Sequence, residues 1–186
     1  MESIEQNPAY YELAFEMPLH KGEVDLDNWF RHYVERRYGF PSENTHAAWM
    51  CLLEGPYRPG TNGVELSSII AARPAVDVKK SGPNAGLGIP YSPELIMKAQ
   101  GLLLKDVEKL KQSEAYRFDI VDVQRQLMTN MGQLIHKKAA EAFKKGDKAG
   151  FALHSTRFLE LLKDVDTLLR TRSAVSYTHL RAHETR

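Results

Sequence analysis

Glu2 is the first residue whose type and place could do chemistry. It lies just upstream of a helix start: Asn7 suits an N-cap, and Pro8 suits the first helical position because the N–H it lacks would be unpaired there. A carboxylate before such a start is what a barrel enzyme offers at the end of a strand, where its catalytic groups sit. Two readings stay open on this spacing alone, a catalytic carboxylate or an ordinary polar tail leading into a helix. Other chemistry-bearing residues are sparse. Cys51 is the single cysteine, which excludes an internal disulfide and a cysteine-based zinc site. The histidines are scattered, and the one i, i+4 pair, His179 and His183, has no acidic third ligand arranged nearby, so no metal site is expected. Neither a helix-opening G-x-G-x-x-G nor a G-K-[ST] occurs, so no phosphate cradle and no cofactor are implied.

The elements that must position these residues are helices. A first helix is predicted over Pro8 to Met17, with Tyr11, Ala14 and Phe15 near one face and Tyr10, Leu13 and Met17 widening it. In a second, Asp25 is the N-cap, Leu26, Trp29, Phe30, Tyr33 and Val34 recur at helical spacing, Arg36 and Arg37 favour the C-terminal dipole, and Gly39 stops it. A third runs from about Ser42 to Leu53, with Cys51 a small core residue. Between Gly55 and Tyr91 glycine and proline make up 11 of 37 residues, a density that leaves room only for a short helix over Val64 to Ala72. A loop this long in a compact domain is usually functional or poorly ordered. Three long amphipathic helices follow: from Ser92 through Leu110, from Ser113 to about Lys145, and, after a turn at Gly146-Asp147, one carrying Phe151, Phe158, Leu161, Leu162, Val165, Leu168 and Leu169. Their short connections imply antiparallel neighbours. The fold class is therefore all-α, an antiparallel bundle of long amphipathic helices with a Gly/Pro-rich loop region.

Length and charge bound the function. The 186 residues suffice for a domain with a real core, and a net charge of +1 makes no electrostatic case for nucleic acid. No run of about 18 apolar residues exists, so no membrane span is expected. The polar, acidic N-terminus lacks the order of a signal peptide, and nothing in the sequence sets an oligomeric state. Residues 175–186, VSYTHLRAHETR, read as the translation of a sequencing adapter and are set aside as a non-native tail.

ESIEQNPAYYELAFEMP followed by VDLDNWFRHYVERRYG resembles the α-N-acetylglucosaminidases of glycoside hydrolase family 89, whose pattern is close to E-G-I-x-Q-N, a Tyr-rich helix, then D-L-x-x-W…R-R-Y-G. Glu2, Ile4, Gln6 and Asn7 match the first part, and Asp25, Leu26, Trp29, Arg36, Arg37, Tyr38 and Gly39 the second. Ala47-Ala48-Trp49, Arg73-Pro74 and Tyr116-Arg117-Phe118-Asp119 are also similar, so the resemblance covers nearly all of residues 1–172. It implies a small N-terminal domain, a central TIM-type barrel and a helical C-terminal domain. On this chain residues 1–23 would be the end of the catalytic barrel, its last strand end and helix, and residues 24–174 an incomplete helical domain.

The resemblance assigns Glu2 the place of the nucleophile of a retaining mechanism, in which one carboxylate attacks the anomeric carbon while another protonates the leaving oxygen and later activates water. The family's acid/base glutamate lies far upstream of this motif, and this chain has no counterpart. The glycine after the nucleophile is Ser3 here, which bears on close backbone packing at the strand end. The Gly/Pro-rich loop corresponds to a family region near the sugar pocket where an aromatic could cover the sugar; Tyr91, the only aromatic in residues 58–91, is the candidate substrate-binding residue. The expected partner is a glycan, bound through the missing barrel. Family members are lysosomal in animals and often exported in bacteria, and no residue here chooses between these.

Two functions follow. The chain is a fragment of an enzyme removing terminal α-linked N-acetylglucosamine, inactive alone, or it is a self-standing helical interaction module. A module should bury its first helix. A fragment should leave Tyr10, Tyr11, Leu13 and Phe15 uncovered as a lost domain interface.

Overall fold

Polar side chains set where the helices begin. In the computed structural model, which describes residues 7–57, 68–80 and 87–171, Asn7 Oδ1 accepts from Tyr10 N at 3.1 Å and opens α1, Pro8–Glu16. Asp25 accepts from Asn28 N and opens α2, Leu26–Tyr38; Ser42 accepts from Asn44 N and Thr45 N and opens α3, Glu43–Glu54. Then come α4, Pro93–Leu104, α5, Val107–Leu110, α6, Glu114–Lys144, and α7, Lys148–Arg170, which Asp147 caps. Short 3₁₀ turns occupy Met17–Leu19 and Ile69–Ala71. The described residues hold no β-strand, so the molecule is an all-α assembly, as its periodicity predicts. No helix among them is long and apolar enough to cross a membrane. Glu2 and the tail from 175 lie outside the described residues.

The chain divides into two compact units, residues 1–59 with 94–123 and residues 60–93 with 124–186. The first is organised by aromatic rings. Trp29, Phe30, Tyr33, Val34 and Tyr38 form the buried face of α2, and Ala48, Trp49, Cys51 and Leu52 that of α3. Tyr33 stacks on Trp29 at 5.1 Å and meets Trp49 edge-on at 4.9 Å, while Tyr38 meets Tyr116 edge-on at 5.6 Å. Such offset and T-shaped pairs add to the stabilisation from burial. Ile96, Ala99 and Leu103 of α4 complete this core.

In the same unit, α1 is held to α2 by polar contacts. Trp29 Nε1 donates to Glu16 Oε2 at 2.6 Å, and Arg36 Nη2 reaches Glu12 Oε1 at 2.7 Å and Glu16 Oε1 at 3.3 Å. Only Ala9 of α1 is buried. Tyr11 and Leu13 are half-buried, whereas Tyr10 and Phe15 are 62% and 67% exposed, with Met17 and Leu19 exposed beside them.

One predicted helix is broken. The stripe from Leu95 to Leu110 reads as continuous, yet α4 ends at Leu104 and α5 begins at Val107. The cause is Asp106, whose carboxylate is 1% exposed and accepts from Ser42 Oγ and from Asn44 Nδ2 at 3.3 Å. Turning that carboxylate inward tightens the backbone to i→i+3 bonds, Lys105 N to Leu102 O and Asp106 N to Leu103 O. The helix expected over Val64 to Ala72 is, within the described residues, only the turn Ile69–Ala71.

The second unit contains α7 and the greater part of α6. Here the buried α6 side is not the apolar stripe. Met131 and Leu134, the apolar positions at helical spacing, are 47% and 54% exposed, while Gly132, Ala139 and Ala142 are buried. The reason is close approach: a Cβ on Gly132 would lie 3.1 Å from Leu161 Cδ2, and one on Gly150 of α7 3.3 Å from Ala142 Cβ. Small residues let the two helices meet, and the bulky ones are displaced to the flank.

Candidate functional site

Tyr91 is the sequence-predicted site residue that the described structure contains, and it stands half-buried two residues before α4. Its hydroxyl oxygen accepts from Gln126 Nε2 at 3.2 Å and from Asn130 Nδ2 at 3.4 Å, both on α6. Gln126 Nε2 also donates to Asn130 Oδ1 at 3.1 Å, so the two amides brace each other. One turn on, Gln133 Nε2 donates to the Leu87 carbonyl. Residues 126, 130 and 133 share one helix face, and the stretch 87–91 is tied to that face at both ends. Sequence reasoning missed these amides. The available signal was polar residues spaced i, i+4 and i+7 beside the apolar series Leu127, Met131 and Leu134.

The most strongly perturbed titratable groups lie elsewhere, in the first unit. Arg37 Nε and Nη2 hold the two Asp119 carboxylate oxygens at 2.5 and 2.7 Å, Tyr38 OH donates to Asp119 Oδ2 at 2.8 Å, and Trp49 Nε1 donates to Tyr38 OH at 2.7 Å. Burial pushes the Asp119 carboxyl up, against the pull of Arg37 and Tyr38, and burial also raises the Tyr38 phenol. Perturbed groups of this kind mark an active site only when they face a cleft. These are 5% exposed and closed in by aromatic rings, so they serve the fold.

A cavity of about 400 Å³ in the second unit is walled by Ile69, Pro74, Val76, Ala139, Phe158 and Leu162, among others. The described residues that line it include no carboxylate, the group that a two-carboxylate glycosidase uses. Among the described residues no cluster of His, Cys, Asp and Glu could hold a metal ion.

Comparison with known proteins meets this geometry. Residues 29–179 match the family model described as Alpha-N-acetylglucosaminidase (NAGLU) C-terminal domain. Human alpha-N-acetylglucosaminidase is 28% identical over 185 residues, which are 97% of this chain and 22% of the human protein. A family 89 glycoside hydrolase from Clostridium perfringens, solved in complex with 2-acetamido-1,2-dideoxynojirimycin, superposes with a TM-score of 0.85 at 30% identity over 89% of this chain and 19% of its own. The same enzyme with two glutamates changed to glutamine, in complex with its substrate GlcNAc-α-1,4-galactose, superposes equally well. The chain thus spans about a fifth of the length of these relatives. With the matched stretch taking in α3 to α7 and nearly all of α2, the chain belongs to the alpha-N-acetylglucosaminidase C-terminal domain family of glycoside hydrolase family 89.

Proposed function

We propose that this chain is part of a retaining glycoside hydrolase that removes terminal α-linked N-acetylglucosamine from glycans, and that it is inactive by itself. Residues 1–23 close the catalytic barrel, residues 24–174 form the helical domain, and residues 175–186 are a non-native tail. Glu2 occupies the nucleophile's position and Tyr91 lines the sugar pocket. The observation that carries this reading is the similarity to an enzyme of that activity along 97% of the chain. Two further observations support it. A solved relative binds its substrate with two glutamates replaced, in keeping with a two-carboxylate mechanism. Of the four side chains that a lost interface would uncover, Tyr10 and Phe15 are exposed, which supports it, whereas Tyr11 and Leu13 are half-buried.

The purified chain should release no N-acetylglucosamine from an α-linked chromogenic substrate, because losing one carboxylate partner alone costs orders of magnitude in rate. Turnover by the chain would overturn the proposed inactivity. Sequencing the upstream DNA should reveal an in-frame barrel. In that longer polypeptide Glu2→Gln should abolish activity and Tyr91→Phe should raise KM. An enzyme unaffected by Glu2→Gln would remove the nucleophile assignment.

A further inference from the structure

We infer that Gln126 and Asn130 are positioning residues for Tyr91, holding its phenol oxygen by amide donation so that its own hydrogen is left to donate to an acceptor oxygen of a sugar. The inference rests on the reading of Tyr91 as a pocket residue. Its physical basis is the cost of the arrangement. Asn130 is 3% exposed, and a buried amide is costly unless its hydrogen bonds are made. Its Oδ1 takes a hydrogen from Gln126, which orients the group and turns Nδ2 towards the phenol. Gln126 uses its two Nε2 hydrogens on Asn130 and on Tyr91. Each of the two amides thus places one donated hydrogen on the same phenol oxygen. Apolar side chains would fill the space without that penalty, so the return on the amides is the orientation of the hydroxyl. Gln133, tied to the Leu87 carbonyl, holds the far end of the stretch and limits how Tyr91 can swing.

The test uses the full chain with ¹³C-labelled tyrosine, and Tyr91→Phe identifies the Tyr91 signal. Asn130→Asp keeps the shape and replaces the donor with an acceptor, which draws the phenol hydrogen inward. The Tyr91 Cζ resonance should then shift while those of Tyr33, Tyr38 and Tyr116 stay in place. Amide exchange at Ile89 and Tyr91 should quicken roughly tenfold, as expected for the loss of about one hydrogen bond's worth of local stability. Gln126→Glu, at a half-buried site, should produce a shift as well. A residue that merely fills space predicts no Cζ shift in either isosteric variant, and that result, with α6 still protected, overturns the inference. If both variants unfold, the unsubstituted chain decides: the Asn130 Nδ2 protons should exchange far more slowly than those of Asn28, which is exposed, and equal rates overturn it. The two readings fail separately. A silent Tyr91→Phe in the longer enzyme with a shifted Asn130→Asp spectrum removes the sugar contact and keeps the positioning, and the reverse pattern removes the positioning.

Discussion

Asp119 of α6 ties two residues of α2 together inside the first unit. It takes two bonds from Arg37 and one from Tyr38, and Trp49 in turn donates to Tyr38. Asp119→Ala strands a guanidinium that is only 17% exposed. We expect a loss of roughly 3 kcal/mol in a denaturant titration. The double variant Arg37→Met with Asp119→Leu should recover most of it, since no unpaired charge remains. Tyrosine ionisation offers a second measurement. Exposed tyrosines ionise near pH 10. Burial pushes Tyr116 up to about 12, and Tyr33 and Tyr38 are raised too. Between pH 10 and 12 the folded chain therefore keeps a proton that the unfolded chain has lost. Stability from Tyr116 is complete below pH 10 and falls as pH rises through that window. An absorbance titration should show Tyr33, Tyr38 and Tyr116 ionising late.

The turn from α6 to α7 is governed by a few atoms. Gly146 sits at φ 71°, and Gly146→Ala should cost about 1 kcal/mol in thermal stability. Gly150 leaves room for the Asp147 carboxylate that caps it: a Cβ there would lie 2.2 Å from Asp147 Oδ2. Gly150→Ala should therefore expel the cap at a cost of about 1 kcal/mol, and adding Asp147→Ala should cost little more, because both remove one interaction. This turn was legible in the sequence from Gly146-Asp147, and the caps at Asn7 and Asp25 were legible from residue type. The break at Asp106 was not, because its cause is a serine and an asparagine more than sixty positions away. Nor was the true α6–α7 contact, since a hydropathy stripe favours Met131 and Leu134 and gives Gly132 and Ala142 no weight. For the candidate site, resemblance proposed Tyr91, whereas the amides that hold it are evident only when α6 lies beside the 87–91 stretch.

At the scale of the whole molecule, apolar surface decides behaviour in solution. Tyr10, Phe15, Met17 and Leu19 are exposed near the start of the chain, and Met131, Leu134, Phe143, Leu153 and Leu159 are exposed on α6 and α7. Exposed apolar groups of this extent mark surfaces that other polypeptide covers. The isolated chain should bind a hydrophobic dye and self-associate with rising concentration in sedimentation. Phe15→Glu with Leu19→Lys should reduce both while leaving the unfolding midpoint within about 0.5 kcal/mol of its starting stability, as surface changes usually do. An unchanged sedimentation profile would mean that the association uses other residues.

Both tryptophans of the chain, Trp29 and Trp49, stand in the aromatic core of the first unit. Intrinsic fluorescence is therefore a private reporter. It sees α2 and α3 come apart and is blind to α7, whereas ellipticity at 222 nm also draws on α7 and the greater part of α6, which lie in the second unit. Superimposed melting curves from the two signals would show a single cooperative transition, and curves that separate would give each unit a stability of its own without any added label.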